Sequence, residues 1–256
     1  MSKKPVFLVL GAGAGIGGNV AKKFAREGYH AVLARRSDEE GLNKMVAEIE
    51  AEGGTATGRL VNAIEDNAIE DLIVDVEKNI GPIEVFLFNL GAQFGDHTLE
   101  DTPLKMFERG WRLTSLGLFR TAKTLAPIME ARGGGKILVT SATSAMRGNA
   151  GQHAHAAAIG GRRLLCQSLN AELSVKGIHI CHIYIDAPIE APDTIGKLLG
   201  PEMYQKLLEE RGQGKDMLVI PEKVAETYYH IAHQHRSAWT SEVDIRPYSE
   251  QPWWNN

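Results

Sequence analysis

The sequence has little of what marks a secreted, membrane-spanning or nucleic-acid-binding protein. Among its 256 residues there are only two cysteines, Cys166 and Cys181, which excludes a disulfide framework and a cysteine-based metal site. No run of apolar residues approaches the length needed to cross a membrane. The net charge is −4 with both signs well mixed, so we expect neither a nucleic-acid surface nor an anionic-membrane surface. No metal site is predicted.

The start of the chain leaves no room for a targeting segment. Residues 1–5 lead directly into an apolar run, so we expect no signal peptide. Together with the scarcity of cysteine, this predicts a cytoplasmic protein with reduced thiols. The chain length is typical of one undivided α/β domain, so a single domain over residues 1–256 is predicted.

What the sequence does have is an apolar run at residues 6–10 followed by a glycine-rich segment at residues 11–17. Five consecutive apolar residues predict a strand buried on both faces. A helix is predicted next, ending at Gly28, from the helical spacing of Val20, Ala21, Phe24 and Ala25. Glycines between strand and helix let the backbone approach a bulky anion, which the helix N-terminus also favours. The alternative is a merely structural tight turn, although the strand–turn–helix context favours a binding site.

Strands and helices alternate along the rest of the chain. The predicted strands cover residues 6–10, 29–34, 56–61, 83–88, 136–141, 178–185 and 243–245. This alternation predicts an α/β fold in three layers, a doubly wound parallel sheet with helices on both faces. Ligands of such sheets bind at the carboxyl ends of the strands.

Residues 188–220 form a long connection on that ligand side and are predicted to be a substrate lid. A partly apolar small-molecule substrate is indicated by its apolar residues Ile195, Leu198, Leu199, Met203, Leu207 and Leu208.

The end of the second strand indicates which nucleotide is bound. In a dinucleotide fold the residue at this position contacts the adenosine ribose. An acidic side chain here accepts a hydrogen bond from a free 2′-hydroxyl, whereas a basic side chain accommodates a 2′-phosphate. Arg35 and Arg36 stand here, with no acid before Asp38. The planar guanidinium binds two phosphate oxygens at once, so NADP(H) is the predicted cofactor. The alternative is a solvated basic pair at the start of a helix.

The spacing of Gly11, Gly15 and Gly17 resembles that of the short-chain dehydrogenase/reductase family, and the resemblance extends from Val6 to Ile245. It implies a Rossmann fold and an oxidoreductase that uses a nicotinamide cofactor. Asn62 stands where the family has an adenine-contacting Asp, and the segment from Asn89 passes beside the cofactor. The predicted cofactor site is Gly11, Ala14, Gly15, Ile16, Gly17, Arg35, Arg36, Asn62, Asn89 and Gly91.

The catalytic set that the resemblance implies is replaced throughout. In the family, a Tyr hydroxyl transfers the substrate proton, a Lys lowers the pKa of that Tyr, a Ser polarises the substrate oxygen and an Asn supports a water relay. The Asn, Ser, Tyr and Lys positions hold Thr114, Ala142, His155 and Ile159. The Pro-Gly that usually follows the sixth strand is replaced by Asp186 and Ala187.

His155 is the candidate that can take over the proton transfer, because imidazole titrates near neutrality. Asp186, on the ligand side of the sheet, would orient His155 or raise its pKa. Thr143, Ser141 or Thr114 would offer a hydroxyl to the substrate oxygen. The alternatives are a structural His155 satisfied by water or backbone, and a Ser141 that only packs at the strand end.

Three functions follow from this sequence. The first is an NADP(H)-dependent oxidoreductase with a rebuilt proton donor. The second is a lyase or isomerase on the same scaffold, since a fold does not fix chemistry. The third is a catalytically silent NADP(H)-binding subunit or sensor.

The helices at residues 104–132 and 152–176 resemble those through which family members pair, which predicts a homodimer or homotetramer, or a heteromer with an active relative. The tail, with Trp253 and Trp254, is predicted to pack on a neighbouring subunit or on the substrate pocket.

Overall fold

The computed structural model describes residues 4–91, 97–212 and 214–255. Its strands form one parallel seven-stranded sheet in the order β3-β2-β1-β4-β5-β6-β7. They are β1 Val6–Leu10, β2 His30–Arg35, β3 Thr55–Leu60, β4 Ile83–Phe88, β5 Gly135–Ala142, β6 Ile178–Ile185 and β7 Glu242–Ile245. Residues 1–3 lie outside the described part, so the expectation for the N-terminus remains a prediction.

The helices that cover this sheet follow the predicted alternation. They are α1 Ile16–Arg26, α2 Glu39–Ala51, α3 Ala68–Asp75, α4 Leu104–Trp111, α5 Gly117–Ala131, α6 His153–Leu173, α7 Lys197–Leu199, α8 Pro201–Arg211 and α9 Pro221–Ala232. No helix among the described residues is long and apolar enough to cross a membrane.

Two apolar cores, one on each face of the sheet, show why β1 needs apolar residues throughout. Phe7 and Val9 enter the core beneath α1, α2 and α9, whereas Leu8 and Leu10 enter the core beneath α3, α5 and α6. Alternate side chains of a strand point to opposite faces, so a strand covered on both sides has no polar positions. The predicted doubly wound, three-layer sheet is confirmed.

The order of the strands also indicates where a ligand would bind. The chain winds outward from β1 to β3 and then returns to pair β4 with the other side of β1, with Leu10 opposite Phe88. The carboxyl ends of β1 and β4 therefore flank the point where the winding reverses, which is where such sheets bind ligands.

Two segments differ from the predicted elements. The helix predicted over residues 104–132 contains a π-helical turn at Arg112–Leu116, where the hydroxyl of Ser115 donates to the Ala158 carbonyl on α6 at 2.8 Å. The connection predicted to be a lid contains the full helix α8, which follows Gly200 at φ +80° and has Pro201 in its first turn. Proline at that position needs no hydrogen-bond acceptor, and this favours the helix start.

One buried polar group makes stability depend on pH. His182 on β6 is fully buried, and neither ring nitrogen has a hydrogen-bond partner among the described residues. Burial, with a smaller contribution from the charge of Arg162, lowers the pKa of His182 to about 3. The unfolded chain takes up a proton below its ordinary pKa of 6.5. Stability is therefore complete above that pH and falls as the pH drops towards 3.

We expect His182→Leu to flatten this acid dependence. As the pH falls from 6.5, the unfolding free energy that His182 costs the wild type grows and approaches about 1.4 kcal/mol per pH unit by pH 5, and the variant loses this dependence. Urea midpoints at several pH values measure the difference. His30 and His179, whose pKa values are also lowered by burial, act equally in both proteins. Parallel pH profiles for wild type and variant would contradict the assignment.

Candidate cofactor-binding and active site

The turn between β1 and α1 is packed so tightly that it requires glycine. Gly11 has φ +101°, and a Cβ atom there would lie 2.6 Å from the Asn89 carbonyl oxygen. A Cβ on Gly17 would lie 2.6 Å from the Gly11 carbonyl oxygen. The Asn89 side chain donates to that same Gly11 carbonyl at 2.9 Å. Asn89 therefore ties the end of β4 to the glycine turn.

Asn19 fixes the other half of the turn, a role that the sequence analysis missed. It is buried in α1 and its amide donates to the carbonyls of Ala14 at 3.0 Å and Gly15 at 2.9 Å. The visible signal is an amide on the apolar face of a predicted helix. Gly15 at the N-cap has no side-chain cap, and the Gly18 amide donates to the Gly13 carbonyl at 2.8 Å. The amides of Ile16 and Gly17 are the first-turn donors that would meet an anion.

A cleft of about 290 Å³ begins at this turn. Its lining includes Arg35, Arg36 and Ser37 and, next to them, residues 61–64, where the Val61 amide donates to the Arg35 carbonyl at 2.8 Å. Leu90 forms part of the inner wall. Two residues of the segment after Leu104 that sequence reasoning did not select, Arg109 and Leu113, complete the lining. The cleft therefore brings both predicted arginines and the glycine turn to one cavity.

The two arginines of the cleft, Arg35 and Arg36, differ in their contacts and exposure. Arg35 Nη2 forms an ion pair with Asp38 Oδ2 at 3.0 Å, whereas Arg36 is exposed. Asp38 caps α2 by accepting from the Gly41 amide at 2.9 Å, and this bond with the nearby Arg35 charge lowers the pKa of Asp38. Arg35 is therefore held in place. It also borders a second cleft of about 550 Å³ between α1 and α2, which Ala14 lines.

The remaining cofactor candidates lie around the first cleft. Asn62 lines it and donates to Glu65 Oε1 at 2.8 Å. Gly91 is exposed and directly follows Leu90. Among the described residues, no group of three His, Cys, Asp or Glu side chains is placed to hold a metal ion.

His155 lies at the third position of α6 and is only 9% exposed. It borders a narrow gap with His97, Thr102 and Met106. The amide of His97 donates to the Gly151 carbonyl at 2.8 Å, so the segment after β4 is tied to the start of α6. One turn after His155, Ile159 is fully buried, so no positive charge stands at that position of the helix.

Two of the three hydroxyl groups predicted to bond the substrate oxygen are not available to a substrate. Thr114 is fully buried, and its hydroxyl donates to the Gly110 carbonyl at 2.9 Å, with the Ala158 carbonyl at 3.2 Å. Ser141 is buried and its hydroxyl has no partner among the described residues, so it does not face an open site. Thr143, half-buried at the end of β5, is the hydroxyl that remains.

Asp186 has a different partner from the one predicted. Its Oδ2 atom accepts from Arg246 Nη1 at 2.9 Å and from the Trp253 amide at 3.0 Å. Its described hydrogen bonds thus hold the C-terminal segment and do not reach His155. Arg147 Nη1 donates to the Trp253 carbonyl at 3.1 Å, and the Arg246 guanidinium lies 4.5 Å from the Trp254 ring centre. The tail therefore packs on its own subunit at the carboxyl edge of the sheet.

Comparison with known proteins agrees with this geometry. The family model described as short chain dehydrogenase matches residues 5–188. The chain belongs to the short-chain dehydrogenase family. A solved short-chain dehydrogenase from Rhodopseudomonas palustris is 33% identical, with a TM-score of 0.79 and coverage of 95% of this chain and 99% of that one.

Two further matches lie in the same family. The 7alpha-hydroxysteroid dehydrogenase of Escherichia coli is 27% identical over 202 residues, which is 79% of this chain and 77% of that protein. A structure of 7alpha-hydroxysteroid dehydrogenase complexed with NADH and 7-oxo glycochenodeoxycholic acid is 23% identical. Its TM-score is 0.83, with coverage of 97% of this chain and 95% of that one. At that identity the likeness shows the fold alone.

Membership in the short-chain dehydrogenase family makes this chain an oxidoreductase by type, with a fold that binds a nicotinamide cofactor. Thr114, Ala142, His155 and Ile159 remain the predicted counterparts of the family's catalytic residues, and among these side chains an imidazole is the one suited to proton transfer.

Proposed function

We propose that this short-chain dehydrogenase uses NADP(H) to interconvert a carbonyl and an alcohol on a partly apolar small molecule. The observation that carries the proposal is the cleft that Arg35, Arg36 and Ser37 line together with the glycine turn. Clustered guanidinium groups beside an anion-binding turn favour a nucleotide with an additional phosphate.

The residues present fit such a nucleotide. The uncapped N-terminus of α1 and the turn at Gly11 would hold the pyrophosphate, because amides and helix dipole both favour negative charge there. Arg36 and Ser37 would hold the 2′-phosphate, together with Arg35, which Asp38 holds in place. Asn62 would contact the adenine. NADP(H), when bound, supplies the hydride.

His155 would hold the proton that the substrate oxygen receives on reduction. Its position at the start of α6, near the carboxyl edge of the sheet, supports this role. Thr143 would donate a hydrogen bond to the same oxygen. The segment at residues 188–220 and the tail, joined by the ion pair of Arg211 and Glu250, would close the substrate side.

A second copy of this chain would cover an exposed apolar surface on the helices. Its exposed residues are Leu104, Phe107, Trp111, Phe119 and Leu164. An exposed apolar surface of this kind favours assembly into a closed symmetric oligomer. We therefore propose a cytoplasmic homodimer or homotetramer. Light scattering of the purified protein tests this, and a monomer at micromolar concentration would refute it.

The test of the reaction is NADPH oxidation with a panel of aldehydes and ketones that range from small polar to bulky apolar compounds. We expect turnover with partly apolar carbonyls that requires NADPH. Turnover of any substrate without consumption of NADP(H) would instead establish a lyase or isomerase, and the oxidoreductase proposal would fall.

The second candidate is an NADP(H)-binding subunit without catalytic activity. The burial and hydrogen bonding of several predicted active-site residues favour it. Ile159 is buried, the Thr114 hydroxyl is committed within its helix and Ser141 is closed off. This candidate predicts nucleotide binding with no turnover by the homo-oligomer over the whole panel. Robust activity of the isolated chain would exclude it.

A further inference from the structure

A positive charge is buried beneath the cofactor cleft, and no described residue beside it carries the opposite sign. Arg162 on α6 is 1% exposed and is the largest fully buried side chain among the described residues. It forms no ion pair with a described carboxylate, whereas the next residue, Arg163, pairs with Glu242 at 2.9 Å. A buried cation is costly unless it is compensated, so an uncompensated one requires a reason.

The titratable groups around Arg162 are neutral. Burial raises the pKa of Cys166 to about 12, and His182 remains uncharged because burial lowers its pKa. Desolvation lowers the pKa of Arg162 itself to about 10, which leaves the guanidinium charged at neutral pH. Neither group cancels that charge.

The contacts of Arg162 point to the cleft. Its Nη1 atom donates to the Leu90 carbonyl at 2.7 Å, and its guanidinium lies 5.9 Å from the Phe88 ring centre. Leu90 lines the cleft, and Asn89 before it is bonded to the Gly11 carbonyl. The guanidinium therefore lies directly behind the cleft wall, and charge in such a low-dielectric setting acts over a longer distance than in water.

We propose that Arg162 is a positioning residue of the cofactor site, whose buried guanidinium holds the Leu90 carbonyl and whose charge is compensated by the phosphates of a bound dinucleotide. The inference rests on the proposed function, because it requires an anionic nucleotide in the cleft. It adds a residue that touches neither nucleotide nor substrate directly and acts through the backbone at Leu90.

The test compares NADPH affinity and thermal stability in Arg162→Met, Arg162→Gln and the matched control Arg163→Gln. Met removes charge and donor, whereas Gln keeps a donor for the Leu90 carbonyl without the charge. We expect both Arg162 variants to bind NADPH about tenfold more weakly, with an unchanged or raised Tm, since an uncompensated charge has been removed. The control loses the same charge beside Glu242 and should bind NADPH like the wild type.

This split between binding and stability separates the proposal from a structural role. Wild-type affinity in both Arg162 variants would overturn it, as would parallel loss of Tm and affinity in Arg162→Gln. If Arg162→Met fails to fold, Arg162→Gln carries the comparison. A wild-type protein that binds no NADPH would refute the proposed function itself, which is a different outcome from wild-type binding that is insensitive to residue 162.

Discussion

Arg36→Ser is expected to weaken NADPH binding about tenfold, and the double variant with Arg35→Ser about 100-fold, with little change for NADH. Each guanidinium would form charge-assisted hydrogen bonds with the 2′-phosphate, which NADH lacks. Arg36 is the exposed one of the pair, whereas Arg35 is already held by Asp38 at 3.0 Å. Fluorescence or calorimetric titration of each variant with both nucleotides measures the effect.

The control for this pair is Arg26→Ser. Arg26 is an arginine at the end of α1 whose Nε pairs with Glu52 at 2.7 Å, so its loss changes net charge without touching the cleft. We expect both nucleotides to bind this variant as they bind the wild type. Equal losses of NADPH and NADH affinity in the Arg36 variant would mean that residue 36 does not discriminate between them.

The second large effect is expected at His155. Its replacement by Asn should lower kcat about 100- to 10,000-fold, because a positioned acid–base group contributes that much to proton transfer. The Kd for NADPH should stay near the wild-type value, because the effect lies in the chemical step. Single-turnover kinetics with a substrate from the carbonyl panel give the rate.

His153→Asn is the matched control for His155. His153 stands two positions earlier on the same helix and is more exposed, so its loss should leave kcat within about twofold, as for surface substitutions away from a site. Full activity in His155→Asn would show that another group supplies the proton. A joint loss of NADPH affinity and Tm would show that His155 has a structural role.

The fold was largely predictable because its signals are local. The apolar run at β1 needs both faces covered, and the glycine turn needs the positive φ found at Gly11. The fourth and sixth strands match their predicted bounds, residues 83–88 and 178–185. Each of these features follows from periodicity and backbone sterics within a few residues.

The partners of the site residues were not predictable, because they are separated by long stretches of chain. Asp186 was expected to meet His155, but Arg246 and Trp253, which are 60 and 67 residues away, donate to its Oδ2 atom. The Thr114 hydroxyl was expected to face substrate, but a π-helical turn directs it to the Gly110 carbonyl. Side-chain partners depend on tertiary packing, which periodicity does not encode.

The buried charge at Arg162 illustrates the same limit. In the sequence, Arg162 and Arg163 are an adjacent basic pair on a predicted helix. Only the packing of α6 on the sheet separates them into a buried cation behind Leu90 and a surface arginine paired with Glu242. Which of the two arginines is buried depends on how α6 is rotated about its axis against its neighbours. The spacing of apolar residues does not fix that rotation to within one residue.

The most direct test of the central claim is a calorimetric titration of the wild-type protein with NADPH and with NADH under identical conditions. The cleft that places Arg35 and Arg36 beside the glycine turn predicts saturable binding of NADPH, at least about tenfold tighter than that of NADH. Equal affinity for the two nucleotides, or binding of neither, would contradict it.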